Sequence, residues 1–396
     1  MNEALYLQAV GLSCSLGADA AVVRERLLAA APTALPISER FSPGRALPLG
    51  LVAVEPADDA LSLLPPRERS RTNALLAQAL PALHAAVQRA CDRYGPQRVA
   101  VVLGSSTAGV HEGEVAARHH AAHGTWPAGY HYGVQEMASP ARHAARTLGL
   151  RGPAYTISTA CSSGAKALAS AARLLRAGMA DAVVCGGADA LCGLTVAGFS
   201  ALESVSTQPC NPLSLHRKGI NLGEGAALFL LSRESGPVRL AGWGESSDAH
   251  HMSAPDPSGR GAIDAMRRAL ACAGVAPAVI DYVNLHGTGT IQNDAMESAA
   301  VSQLLGLQVP VSSTKPLTGH ALAAAGALEA AFAWLTLVDN PRHALPPHWW
   351  DGARDEALPT LHVVQPGECA ARPPRWILSN SFAFGGSNAS LLFARE

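Results

Sequence analysis

The chain has 396 residues, 48% hydrophobic, 15% charged and 5% aromatic. That length allows two or three ordinary domains or one large duplicated one, and the apolar excess points to large buried surfaces and to contacts between subunits. With 30 Lys and Arg against 31 Asp and Glu, a net charge of −1, there is neither the basic face nor the aromatic platform of a nucleic-acid binder.

The opening MNEALYLQAVGLSCSLG carries Glu3 and no basic start, so it does not read as a signal peptide. Eight cysteines (Cys14, Cys91, Cys161, Cys185, Cys192, Cys210, Cys272 and Cys369) are scattered, with no Cys-x-x-Cys pair. That spacing excludes a standard zinc knuckle, does not resemble a disulfide framework, and fits a reducing cytoplasm.

Strand-like and helix-like runs alternate throughout, the signature of an α/β architecture. RVAVVLGSS (98–106) is a short buried strand running into a glycine turn; DAVVCGGAD (181–189), DYVNLHGTGT (281–290) and RWILSNSFAFGG (375–386) repeat the pattern. Each ends in a small-residue loop, where α/β proteins place their sites. Between them, ARHHAAHG (117–124) offers His119, His120 and His123 at metal-binding spacing, but no carboxylate stands at the matching spacing and a solvated helix end is the better reading. His250 and His251 form a loop pair with no better claim. No GxxxxGK or complete GxGxxG occurs, so nucleotide binding lacks support.

The strand-like AYTI (154–157) runs into STACSSGAK (158–166), a cysteine at a strand-to-helix corner. Two readings stand at this point. Cys161 is a small buried hydrophobe, or it is a nucleophile whose thiolate is favoured by the helix N-terminus. In the following helix Ala165, Leu168, Ala169, Ala172 and Leu175 fall at helical spacing and Gly178 ends the run, which gives a central buried helix with a close-packing face. The run 321–338, ALAAAGALEAAFAWLTLV, is interrupted by Glu329 and dominated by Ala and Gly, and reads as a buried helix, not a membrane span. Two Pro-rich stretches, 31–66 and 340–374, read as long surface loops.

An internal echo runs through the chain. YLQAVGLSCSLG resembles VRLAGWGESSD, RVAVVLGSST resembles DYVNLHGTGT, and GEGAALFLLSRE resembles GGSNASLLFARE, in the same order. A duplicated fold follows, with a seam near Ser235-Gly236-Pro237: residues 1–235 form a half carrying the cysteine, and 236–396 a half carrying two corner histidines, His286 and His320. In such a fold the three corners converge at the C-terminal ends of strands.

Four segments in this order, TISTACSSGAK, NLHGTGTIQNDAMES, SSTKPLTGHALAAAGALEAA and LSNSFAFGGSNAS, resemble the elongating β-ketoacyl-acyl-carrier-protein synthases of the thiolase superfamily, nearly end to end. GYHYGVQE, GESSDAHHMSAPDP and SFAFGGSNAS look most like the synthases of aryl polyene pigment pathways. The resemblance implies a duplicated thiolase-like fold, layered αβαβα with two central mixed sheets, and a cytoplasmic dimer, with itself or with a related subunit. It implies acyl and malonyl substrates carried on the phosphopantetheine of acyl carrier protein, with no metal or redox cofactor. Cys161 matches the acyl-accepting nucleophile, His286 and His320 the decarboxylation histidines, Lys315 the site lysine and Glu329 its acid partner. Phe384 matches the gating aromatic whose N–H joins that of Cys161 in an oxyanion hole; Phe199, Thr107 and Phe382 match substrate-pocket positions.

These residue types suit that chemistry. A thiolate attacks a thioester, two backbone N–H groups hold the oxyanion, and two neutral imidazole N–H donors hold the enolate left by loss of CO₂. The family pattern PFDxxRDGFVLGEGA here reads NPLSLHRKGINLGEGA: Leu213, Ser214, Lys218 and Ile220 replace Phe, Asp, Asp and Phe, which bears on substrate choice, not on chemistry. Two rivals remain. A non-catalytic chain-length subunit would lack Cys161. A coenzyme A-dependent thiolase would carry a second cysteine near the C-terminus, where this chain reads NSFAFGG.

Overall fold

A computed structural model describes residues 3–57 and 61–396. In chain order its strands are β1 (Tyr6–Ser13), β2 (Ile37–Ser38), β3 (Leu47–Pro48), β4 (Val99–Gly104), β5 (Ala154–Ile157), β6 (Ala182–Asp189), β7 (Gly225–Ser232), β8 (Val238–Ser247), β9 (Tyr282–Asn284), β10 (Pro310–Ser312), β11 (His362–Val363), β12 (Trp376–Ala383) and β13 (Ser387–Ala394). Eleven form one mixed sheet, ordered β11-β10-β9-β12-β13-β8-β1-β7-β6-β4-β5, while β2 and β3 make a separate ribbon.

The order is one five-strand pattern written twice, outward from the centre. β1 pairs antiparallel with β7 as β8 does with β13, and β7 pairs antiparallel with β6 as β13 does with β12. β6 is parallel to β4, and β4 to β5, as β12 is to β9 and β9 to β10. The strands that echo in sequence are the ones that occupy equivalent places. Within the sheet the halves meet where β1 pairs with β8, Tyr6 with Arg239 and Leu7 with Val238, so the two expected sheets are stapled into one by a short seam.

The apolar runs explain the burial. β4 (VAVVLG) and β6 (AVVCGGAD) are buried at every position, as parallel strands covered on both faces must be. Between the two halves of the sheet lie the helices Ser163–Arg176 and Ala325–Leu337. They approach so closely that only glycine fits at the crossing: a Cβ on Gly164 would stand 2.8 Å from the Ala323 carbonyl oxygen and 2.9 Å from Ala327 N, and one on Gly326 3.0 Å from Ala165 N. That contact holds the segment after Cys161 against the segment after His320. The apolar run 321–338 is accordingly buried, as a 3-10 turn over Leu322–Ala324 followed by the helix, and no described helix is long and apolar enough to cross a membrane.

The Pro-rich stretches are not simply surface loops. Phe41, Leu47 and Leu49 are buried against Leu191, Ile220 and Leu222, and Leu345, His348 and Val364 are buried in the second stretch. Lacking a regular period, such segments satisfy their backbone by individual pairings, among them Gly50 N to Leu222 O, Glu224 N to Gly50 O and His348 N to Val364 O.

Candidate active site

Three corners converge. Cys161 lies between β5 and the helix Ser163–Arg176, immediately after Ala160, whose φ of +52° is a left-handed conformation unusual for alanine. The Ser163 hydroxyl fixes this turn: it accepts from Thr159 N at 2.8 Å and donates to the Ala160 carbonyl at 2.5 Å. His286 stands two residues past β9, and His320 just before the 3-10 turn that leads into Ala325–Leu337. The corner between β12 and β13 supplies Phe384.

His320 Nε2 lies 2.9 Å from Cys161 Sγ. The His286 and His320 rings meet edge to face, with centroids 5.3 Å apart. One donor atom from each of Cys161, His286 and His320 falls within 4.8 Å of the other two, and all three residues are at most 4% exposed. They open onto a solvent-connected cavity walled on its apolar side by Phe199, Ile220, Phe382 and Phe384. Phe199 packs on Phe384 at 5.5 Å and Phe382 on His286 at 6.3 Å between ring centroids. Thr107 does not border this cavity; its hydroxyl and N–H both go to Asp189, at 2.9 and 3.0 Å.

The electrostatics correct one expectation. Burial pushes the Cys161 thiol up to about 11, and the opposing pulls of Lys315 and of the backbone N–H groups of Phe384 and Cys161 only partly offset it. The helix N-terminus therefore does not leave a resting thiolate; the sulfur holds its proton beside a neutral base. Burial, reinforced by the positive charge of Lys315, holds both histidines well below the ordinary imidazole value. The Phe384 and Cys161 N–H groups that pull on the sulfur are the pair an oxyanion hole needs.

Lys315 and Glu329 form a buried ion pair, Nζ to Oε1 at 2.5 Å, each about 2% exposed. The same ammonium donates to the His286 carbonyl and faces His286 Nδ1 at 3.4 Å. With Nδ1 receiving from Lys315, the ring proton of neutral His286 goes to Nε2. His320 is free of such a lock, since its buried Nδ1 has no partner among the described residues. One imidazole is a fixed donor; the other is able to take a proton and return it.

Several supporting residues carry no local signature. Asp189, fully buried at the end of β6, accepts from the Ser105 hydroxyl, from the N–H and hydroxyl of both Ser106 and Thr107, and from Ala323 N. It thus ties the loop after β4 to the turn following His320. Glu297 accepts from the N–H groups of His286 and Gly287 at 2.8 and 2.7 Å, and burial pushes its carboxyl up to about 7. His348 accepts from Ser313 N at 3.1 Å, and its Nε2 lies 2.9 Å from the Pro212 carbonyl. The one sequence hint was an acid at the end of a buried strand (Asp189) or six residues into the helix after the GTGT loop (Glu297).

Family models for "Beta-ketoacyl synthase, N-terminal domain" and "Beta-ketoacyl synthase, C-terminal domain" match residues 43–236 and 238–348. Over 265 residues the chain is 40% identical to 3-oxoacyl-[acyl-carrier-protein] synthase 2 of Rhizobium meliloti, covering 62% of each sequence. Over 273 residues it is 36% identical to the mitochondrial 3-oxoacyl-[acyl-carrier-protein] synthase of Arabidopsis thaliana, covering 64% of this chain and 58% of that protein. The matched stretch is thus less than two thirds of either relative. Among solved structures, a chain of the Xenorhabdus doucetiae complex of ketosynthase ApeO with chain length factor ApeC superposes with a TM-score of 0.92 at 42% identity, covering 100% of this chain and 98% of that one. A β-ketoacyl synthase from Burkholderia phymatum superposes with a TM-score of 0.87 at 28% identity over the full length of both.

Proposed function

We propose, because the chain belongs to the β-ketoacyl synthase family, that it performs a decarboxylative Claisen condensation between an acyl group held on Cys161 and a malonyl group held on acyl carrier protein. The observation that carries this reading is the trio of Cys161, His286 and His320, with sulfur and imidazole 2.9 Å apart in a buried cavity.

In the first half-reaction His320 Nε2 takes the thiol proton as sulfur attacks the carrier-bound thioester. The oxyanion falls to the N–H groups of Cys161 and Phe384, each such donor typically worth about 3 kcal/mol of barrier. Collapse expels the carrier thiolate, which recovers the proton. In the second half-reaction the malonyl C–CO₂ bond breaks and its electron pair moves into an enolate, whose oxygen receives a hydrogen bond from Nε2–H of His286 and, once the His320 ring proton has passed by exchange with solvent from Nδ1 to Nε2, a second from His320. The enolate carbon attacks the acyl carbonyl, Cys161 leaves as thiolate and takes up one proton from solvent. Lys315 fixes the His286 tautomer, Glu329 compensates Lys315, Phe199, Phe382 and Phe384 belong to the acyl-binding region, and Thr107 acts at a remove, through its bonds to Asp189. No step needs a metal or redox cofactor.

The resemblance to aryl polyene synthases, together with the 42% identity to a chain of the ApeO–ApeC complex, favours a conjugated acyl chain. Ile220, on the cavity wall where the family pattern has the larger Phe, fits a longer acyl chain. A second subunit, identical or related, fits the edge strand β5, whose four residues are all half-buried in the lone chain, an unpaired edge that native proteins cover. Eight unpaired cysteines support a reducing cytoplasm. The halves divide at 235/236. A non-catalytic subunit is disfavoured by the intact trio, a thiolase by the lack of a second cysteine among the cavity-lining residues.

The test is to incubate the chain, alone and with any copurifying partner, with acyl- and malonyl-carrier protein. A β-ketoacyl product released with equimolar CO₂ supports the reading; release of free acid, or cleavage that depends on coenzyme A, refutes it.

A further inference from the structure

We infer that Cys161, His286 and His320 also form a soft-metal site that captures one zinc ion and silences the enzyme. The inference concerns regulation of the proposed active site and rests on that reading only for the consequence that zinc stops turnover. A thiolate and two imidazoles are the preferred donor set for Zn²⁺, with bonds of about 2.0–2.3 Å. The donor atoms lie within 4.8 Å of one another, against the roughly 3.3–3.7 Å such bonds impose between ligands, so side-chain movement of about an ångström closes the set around the ion. The fourth position faces the cavity, so water or a substrate thioester completes a tetrahedron. On binding, the Cys161 proton leaves to solvent as a Zn–S bond forms, and the His286 ring proton passes from Nε2 to Nδ1 as Lys315 keeps only its bonds to the His286 carbonyl and Glu329; the metal comes from the medium.

Lys315 opposes this capture in two ways. Its ammonium, 3.4 Å from His286 Nδ1, repels a dication. By donating to Nδ1 it also keeps the ring proton on Nε2, the nitrogen a metal would need. Lys315 is thus a positioning residue for His286 and, in addition, a guard that sets how much free zinc the site tolerates.

The primary experiment counts zinc by equilibrium dialysis of the full chain against ZnCl₂. Surface histidines such as His119 and His123 contribute equally to every variant and cancel. We expect the unmodified chain to bind one more zinc ion than Cys161→Ala, and His286→Gln and His320→Gln to weaken that ion at least about tenfold. Lys315→Met should tighten it by at least about tenfold; the double variant Lys315→Met/Glu329→Gln, which leaves no buried charge uncompensated, makes the same comparison if the single variant is unstable. Equal zinc counts in the unmodified chain and Cys161→Ala overturn the inference, as does affinity unchanged in both histidine variants. Acyl transfer measured in zinc-free buffer separates the two readings: zinc capture without acyl transfer leaves this inference standing and removes the catalytic one, and the reverse removes only this one.

Discussion

His320 Nε2 stands 2.9 Å from Cys161 Sγ although 159 residues separate them. The distance is the product of the small-residue crossing at Gly164 and Gly326, which presses the two helices together behind the site. Because the thiol is pushed up to about 11 while the imidazole is held neutral, the pair works by proton transfer during attack, not by a standing ion pair.

The crossing gives the first prediction. A Cβ on Gly164 would sit 2.8 Å from the Ala323 oxygen and 2.9 Å from Ala327 N, both backbone atoms with nowhere to yield. Gly164→Ala is expected to cost roughly 1–3 kcal/mol, read as a lowered denaturant midpoint. It should also slow acylation of Cys161, because the two helices that carry the sulfur and the base are forced apart. Unchanged stability and rate would remove the crossing as the device that aligns them.

Lys315 and Glu329 are both buried and bonded at 2.5 Å. Lys315→Ala leaves a buried carboxylate without compensation and should cost about 3–5 kcal/mol, whereas Lys315→Met/Glu329→Gln should recover most of that loss. Chemical denaturation of the three proteins measures it. A double variant no more stable than the single one contradicts the pairing.

The histidines yield a pH prediction. Their folded values lie well below the ordinary 6.5, so the unfolded chain binds more protons at acid pH. Their contribution is intact above 6.5 and is lost as pH falls below it. His320→Gln deletes one such group, and its melting temperature should drop less than that of the unmodified chain between pH 6.5 and 5. In the unmodified enzyme, acyl transfer should show no inflection at 6.5. Because the buried Glu297 carboxyl, pushed up to about 7, titrates nearby, the comparison is made in Glu297→Gln: an inflection at 6.5 that persists there would mean that His320 is solvated and ordinarily basic.

Asp189 gathers donors from Ser105, Ser106, Thr107 and Ala323. Asp189→Asn turns one acceptor oxygen into a donor facing other donors, at about 1–3 kcal/mol for each group left unpaired. Its melting temperature should fall, and the acylation rate should fall with it, since the turn after His320 loses its anchor at Ala323.

The reach of the sequence differed from residue to residue. Cys161, His286 and His320 were legible because each sits in a small-residue corner with a distinctive neighbourhood. The duplication was legible because GEGAALFLLSRE and GGSNASLLFARE become β7 and β13, which hold equivalent places. Asp189 and Glu297 were not, because their roles exist only through partners the fold brings in, such as Ala323, 134 residues from Asp189. The thiolate expected at Cys161 rested on a local rule about helix ends, while burial, a property of the whole fold, decides its protonation. The Pro-rich stretches lacked any period, yet Leu47 and Leu49 are fully buried; a two-residue strand such as Leu47–Pro48 is too short to leave a pattern to read.

The central claim is that Cys161 accepts the acyl group and His320 takes its proton. The most direct measurement is peptide mass spectrometry after incubation with an acyl-carrier protein in zinc-free buffer. The expected result is one acyl adduct on Cys161, absent in Cys161→Ala and formed at least about a hundredfold more slowly in His320→Gln. An acyl group found on another residue, or adduct formation at full rate without His320, would contradict it.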